Sequence, residues 1–141
     1  MGILIKNGEI VTATDRYVGD IYCADGTIQA TGPGLEKRSA QDTVIDASGQ
    51  MVFPGGVDAH VHMELPFMGT ESADDFETGT AAGVAGGTTS IIDFVIPARN
   101  QSLLEGLAIW NEKAKKAVSD YAFHMAVTWF GDRTREEMRT C

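Results

Sequence analysis

The chain has 141 residues, 43% of them hydrophobic, with 11 Lys and Arg set against 20 Asp and Glu for a formal net charge of −9. That balance suits a soluble, core-forming protein and offers no basic footprint for nucleic acid or an anionic membrane surface. No apolar run reaches the roughly 18 residues that suggest a transmembrane helix, and the start Met1-Gly2-Ile3-Leu4-Ile5-Lys6-Asn7 lacks the apolar stretch and cleavage site of a signal peptide. Neither nucleic acid nor membrane is expected as a partner, and a cytoplasmic location is the default. Cys23 and Cys141 stand far apart, match neither a disulfide framework nor zinc-finger spacing, and read as free thiols.

From Ile3 to about Val52 the chain consists of short β-branched runs: Ile3-Leu4-Ile5, Glu9 to Thr12, Val18 to Tyr22, Thr27 to Ala30 and Thr43-Val44-Ile45. Asn7-Gly8 and Asp25-Gly26 between them supply the positive φ values of tight hairpins. Residues 1–51 are therefore expected to form a small antiparallel β module, part of a β-sandwich, with a surface loop over the polar Gly32 to Gln41 stretch. After Met51 the pattern becomes strand, helix, strand, helix, strand. Ser72, followed three residues later by Asp75, predicts a helix from about Ala73 to Ala85, stopped by Gly86-Gly87. Thr88 to Val95 reads as a strand buried on both faces. Ser102 and Glu105 repeat the capping pattern ahead of an apolar stripe at Leu103, Leu107, Trp110, Ala114 and Ala117. Tyr121 to Val127 predicts a third strand, and Thr134-Arg135-Glu136-Glu137 the start of a third helix. Alternating βα units feed a parallel sheet. A (β/α)8 barrel takes about 250 residues, so residues 52–141 correspond to about three of its eight units. The fold expected is α/β, with a β module followed by an incomplete barrel start. The alternative, a free-standing three-stranded sheet, would leave long apolar edges exposed.

The chemistry concentrates in Phe53-Pro54-Gly55-Gly56-Val57-Asp58-Ala59-His60-Val61-His62. Side chains alternate along a strand, so His60 and His62 project to one side as a chelating pair suited to zinc or a neighbouring divalent transition metal. By the same alternation Asp58 lies on that face, where it could orient a ligand. By itself a His-x-His pair reads equally well as two surface histidines. Its setting favours the metal, because the end of a strand that leads through a loop into a helix is the barrel rim where ligands are held.

The run Val44 to His62 resembles the entry signature of the amidohydrolase superfamily. Leu65-Pro66-Phe67-Met68-Gly69-Thr70, Ser72 to Phe76, Gly79-Thr80 and Ala85 to Phe94 narrow the resemblance to its dihydropyrimidinase and hydantoinase branch, over essentially Ile3 to Met138. The resemblance implies a cyclic amidase that opens dihydropyrimidine or hydantoin rings with a hydroxide bridging two zinc ions. It also implies homo-oligomers, tetramers or dimers, of the intact protein. His60 and His62 match the first two metal ligands. The remaining ligands of that family are a carboxylated lysine bridging the metals, two later histidines and a late aspartate, and no residue here matches them. His124 falls where the motif uses none and reads as structural. The loop Glu64 to Gly69 resembles the family's substrate gate, with Leu65 and Phe67 toward the ring substituent, although a hydrophobic loop anchor is an equal reading. The branch also includes non-catalytic assembly and signalling relatives that have lost metal ligands; retention of His60 and His62 argues against that class. A third reading is an inert truncated product. For the isolated chain, no activity is the expectation.

Overall fold

Ile3–Val11 forms one continuous strand, β1, where the sequence suggested two strands joined at Asn7-Gly8. The dipeptide makes a bulge instead. Ile5 lies opposite Ile21 and Gly8 opposite Gly19, so β1 carries one residue more than its partner. Asn7 absorbs it at φ 60° while its N–H donates to Asp20 Oδ1 at 2.8 Å. Gly8 is required for a different reason, since a Cβ there would stand 2.6 Å from Val52 Cγ2. The computed structural model describes residues 1–141, which divide into two units, Met1–Pro54 and Gly55–Cys141.

In the first unit β1 pairs antiparallel with β2 (Arg16–Ala24), which turns at Asp25-Gly26 (φ 52° and 71°) into antiparallel β3 (Thr27–Gly32). The remaining strands depart from the antiparallel expectation. Both β4 (Thr43–Asp46) and β5 (Met51–Val52) run parallel to β1, because the polar stretch after β3 is long enough to bring the chain back in the same direction, which a two-residue turn is not. Val52 pairs with Ile10, which keeps it in this sheet and carries the unit on to Pro54. Leu4, Ile10, Ile21, Tyr22 and Ala47 are its buried apolar residues.

That returning stretch is tied down by Asp42. Its buried carboxylate accepts from Gly2 N at 2.7 Å, Tyr22 Oη at 2.9 Å, Arg38 N at 3.0 Å and Ser39 N at 2.9 Å. The Gly2 N–H is the largest of the influences that hold its pKa below the ordinary carboxylate value, and burial acts against it. A carboxylate with a lowered folded-state pKa contributes stability that is present above the unfolded value and is lost as pH falls through the folded one. Thermal unfolding should therefore show Asp42→Asn destabilised at neutral pH. On acidification below the usual aspartate range the variant should lose less than the parent chain, whereas parallel pH curves for the two would contradict this.

The second unit is built on a parallel sheet in the order β10-β9-β6, with β6 (Gly56–Val61), β9 (Thr88–Val95) and β10 (Asp120–Met125). Between β6 and the first helix lies a hairpin of β7 (Pro66–Phe67) and β8 (Thr70–Glu71). Helix α1 (Phe76–Ala85) begins at Asp75, whose side chain accepts the Thr78 N–H, and not at Ser72. The Ser72 hydroxyl is engaged by the hairpin, accepting from Leu65 N at 2.7 Å. Helix α2 (Leu103–Ala114) is capped by Ser102 and Glu105 as its sequence predicts. A further cap comes from α3 (Asp132–Glu137), where the Glu137 carboxylate accepts from Ser102 Oγ at 2.7 Å and Leu103 N at 2.8 Å. The core joins Phe76, Ile91, Val95, Trp110 and Ala114. It covers one face of β9 only. Ile91, Asp93 and Val95 are buried there, while Ile92 and Phe94 on the other face are half-exposed, against the expectation of burial on both sides. No helix is long and apolar enough to cross a membrane.

Candidate metal centre

The uncovered face of the parallel sheet carries the histidines. Gly55 seats the start of β6, since a Cβ there would fall 1.9 Å from Thr89 Oγ1. From that start the strand leads to His60 near its C-terminal end and His62 just beyond it, both exposed. Their ring centroids are 5.1 Å apart at an interplanar angle of 86°. Two imidazoles sharing one tetrahedral zinc at roughly 2.0–2.1 Å hold their centroids about 5 Å apart, so the pair fits half of a zinc shell. No cluster of three or more His, Cys, Asp or Glu side chains suited to a metal is present.

Asp58 is placed differently from the sequence expectation. A register shift between Asp58 and Val61 interrupts the alternation that would align Asp58 with His60; Asp58 instead lies opposite Ile91. Its carboxylate accepts from the His60 backbone N–H at 3.1 Å, which steadies the main chain rather than an imidazole. His124, on β10, stands apart from the pair. Phe94 lies between them, with its ring 4.5 Å from His60, 5.4 Å from His62 and 4.9 Å from His124.

The loop Glu64 to Gly69 divides. Leu65 packs against the helix-side core, the position of an anchor, while Phe67 is 62% exposed beside the turn at Met68 and Gly69 (φ 49° and 81°). Lys113 at the end of α2 and Lys116 just past it both reach Glu64. Lys113 Nζ donates to Glu64 O at 2.7 Å, and Lys116 Nζ to Asp75 Oδ2 at 3.1 Å and to Glu64 Oε1. Sequence reasoning passed over Asp93 and Phe94 as site residues. The available signal was a lone carboxylate inside the apolar run Ile91-Ile92-Asp93-Phe94-Val95. Burial pushes the Asp93 carboxyl above its usual range, against the lowering effect of the Phe94 and Met63 N–H groups that it accepts.

The relatives of this chain are cyclic amidohydrolases. The chain is homologous to the N-terminal portion of those of the dihydropyrimidinase and D-hydantoinase type. It is 48% identical over 136 residues to D-hydantoinase of Geobacillus stearothermophilus, covering 96% of this chain and 28% of that protein. To the dihydropyrimidinase of Rattus norvegicus it is 44% identical over 144 residues, 98% of this chain and 27% of that one. A D-hydantoinase crystal structure superposes with a TM-score of 0.93 at 45% identity, over 99% of this chain and 30% of the other. The D-hydantoinase from Thermus sp. does so with a TM-score of 0.91 at 47% identity, over 98% and 30%. The chain thus spans less than a third of the length of these relatives. No protein-family profile matches it.

Proposed function

We propose that this chain is the opening part of a zinc-dependent cyclic amidase acting on the ring amide of dihydropyrimidines or hydantoins, and that by itself it is inactive. The observation that carries the reading is the His60–His62 pair, 5.1 Å apart on the open sheet face of a chain homologous to those enzymes. In this reading the first unit, Met1–Pro54, is the β-sandwich module, and β6, β9 and β10 with their helices are about three of the eight units of a (β/α)8 barrel. The open face becomes the barrel interior.

His60 and His62 would hold one zinc ion. Bound zinc polarises the ring carbonyl and makes hydroxide available near neutral pH. Phe94 offers an apolar wall beneath both imidazoles, and the Asp58 carboxylate steadies the main chain where it enters His60. Phe67, exposed on its hairpin, would meet the ring substituent, and Leu65 anchors that hairpin. The further ligands, a carboxylated lysine among them, and with them a second zinc site would lie in the rest of a complete subunit, which would assemble as a cytoplasmic homotetramer or homodimer.

Elemental analysis of the gel-filtered chain tests the reading. Two imidazoles form an incomplete shell, so the retained zinc should fall well below one per chain and dihydrouracil or hydantoin should remain unopened. A content of about two zinc ions per chain, the complement of a whole two-metal site, together with ring opening at an enzyme-like rate, would overturn it.

A further inference from the structure

The ladder between β6 and β9 ends where Val61 meets Asp93, although β9 continues beside β10 as far as Val95 and Met125. Past Val61 the chain carrying His62 has no further pairing with β9, yet it does not hang free. The Met63 N–H donates to Asp93 Oδ2 at 3.2 Å, so a side-chain oxygen stands in where a ladder carbonyl would otherwise be. The other oxygen, Oδ1, accepts the Phe94 N–H at 2.6 Å. Asp93 has no solvent exposure and sits on the face of β9 that carries Ile91 and Val95, within an otherwise apolar core. A carboxylate in such a place costs stability unless it is well bonded. An apolar residue would fill the space without that cost, so the two bonds it makes are the reason to look for a role.

Both bonds end beside the candidate metal pair. Met63 follows His62 directly, and Phe94 is the ring against which His60 and His62 lie at 4.5 and 5.4 Å. We propose that Asp93 is a positioning residue for His60 and His62: from the opposite side of the sheet its buried carboxylate fixes the backbone next to His62 and the backbone of the aromatic wall behind both imidazoles. It touches no ligand and supplies no electron pair to the metal. Outer-shell partners that bond the imidazole itself typically change metal binding about 10–100-fold when lost; Asp93 acts one step further out, through the backbone on which the rings are carried. The inference rests on reading His60 and His62 as a metal pair.

Asp93→Asn tests it. An Asn oxygen can accept one of the two N–H groups, but its amide then presents donors to the other. Zinc titrations of the full chain, followed through the imidazole NMR resonances, should show zinc affinity weakened by up to about 10-fold in Asp93→Asn, the lower end of the range for partners that bond the ring itself. The metal-free spectrum should show the His62 ring broadened or doubled. Val95→Ala, which removes volume from the same buried face without touching a hydrogen bond, should lower the unfolding temperature and leave both readouts unchanged. An unchanged His62 ring and a zinc affinity within about twofold of the parent would overturn the proposal, as would equal loss in Val95→Ala. If the parent chain shows no zinc-dependent shift while Asp93→Asn still disorders the His62 ring, the positioning holds and the metal reading fails. Should Asp93→Asn not fold, hydrogen exchange in the parent chain decides: a Met63 amide protected like those of β9 supports the proposal, and one exchanging as fast as the exposed hairpin amides refutes it.

Discussion

Replacing His60 and His62 together by alanine should abolish zinc-dependent changes in the chain, with zinc affinity falling by at least about 100-fold, more than loss of an outer-shell partner causes. The fold should hardly notice. Both residues are exposed at the end of β6 and neither belongs to the core, so the change in unfolding free energy should stay within about 0.5 kcal/mol. Each single replacement leaves one imidazole, which cannot chelate, and should lose most of the same affinity. Zinc titration beside circular dichroism melts separates the two quantities. Retained affinity in the double variant would show that the metal is held elsewhere and would remove the site on which the proposed function stands.

Phe76→Ala should do the reverse, unfolding the second unit without altering either histidine of the candidate site. Phe76 is fully buried at the start of α1 and meets Tyr121 and Phe123 of β10 edge-on at 6.5 and 6.4 Å. It thereby joins the first helix to the far strand of the sheet. Removal of a buried Phe costs about 3–5 kcal/mol from lost transfer energy and the cavity left behind. Whole domains are stable by only about 5–15 kcal/mol, and this sheet has an uncovered face, so the loss should take most of what is available. A melt that shifts by only a few degrees would show that Phe76 is not the keystone its contacts suggest.

The two effects differ because the second unit keeps its two faces apart. Stability lies with Ile91, Val95, Phe76, Trp110 and Ala114 on the helix side, and the candidate chemistry lies with His60 and His62 on the other. Asp93 belongs to the first face by burial and acts on the second through its hydrogen bonds, which is why its substitution should affect both stability and metal affinity.

Much of this was legible from residues alone wherever the deciding interaction is local. The Ser102 and Glu105 cap, the positive φ pair at Asp25-Gly26 and the apolar stripe of α2 all depend on neighbours a few positions away, and steric and hydrogen-bonding preferences over that range are properties of the sequence itself. The placing of His60 and His62 on one side of a strand is equally local. Tertiary structure decided the rest. Asn7-Gly8 became a bulge because β1 continues beside β2, and β4 and β5 took parallel directions because β1 had a free edge for the returning chain. Ser72 gave up the helix cap to Asp75 because the hairpin uses its hydroxyl. Asp58 left its expected alignment through a register shift against β9. The bond from Met63 to Asp93 joins residues 30 positions apart; no local preference encodes it, and it exists only once two strands lie side by side and one of them ends early.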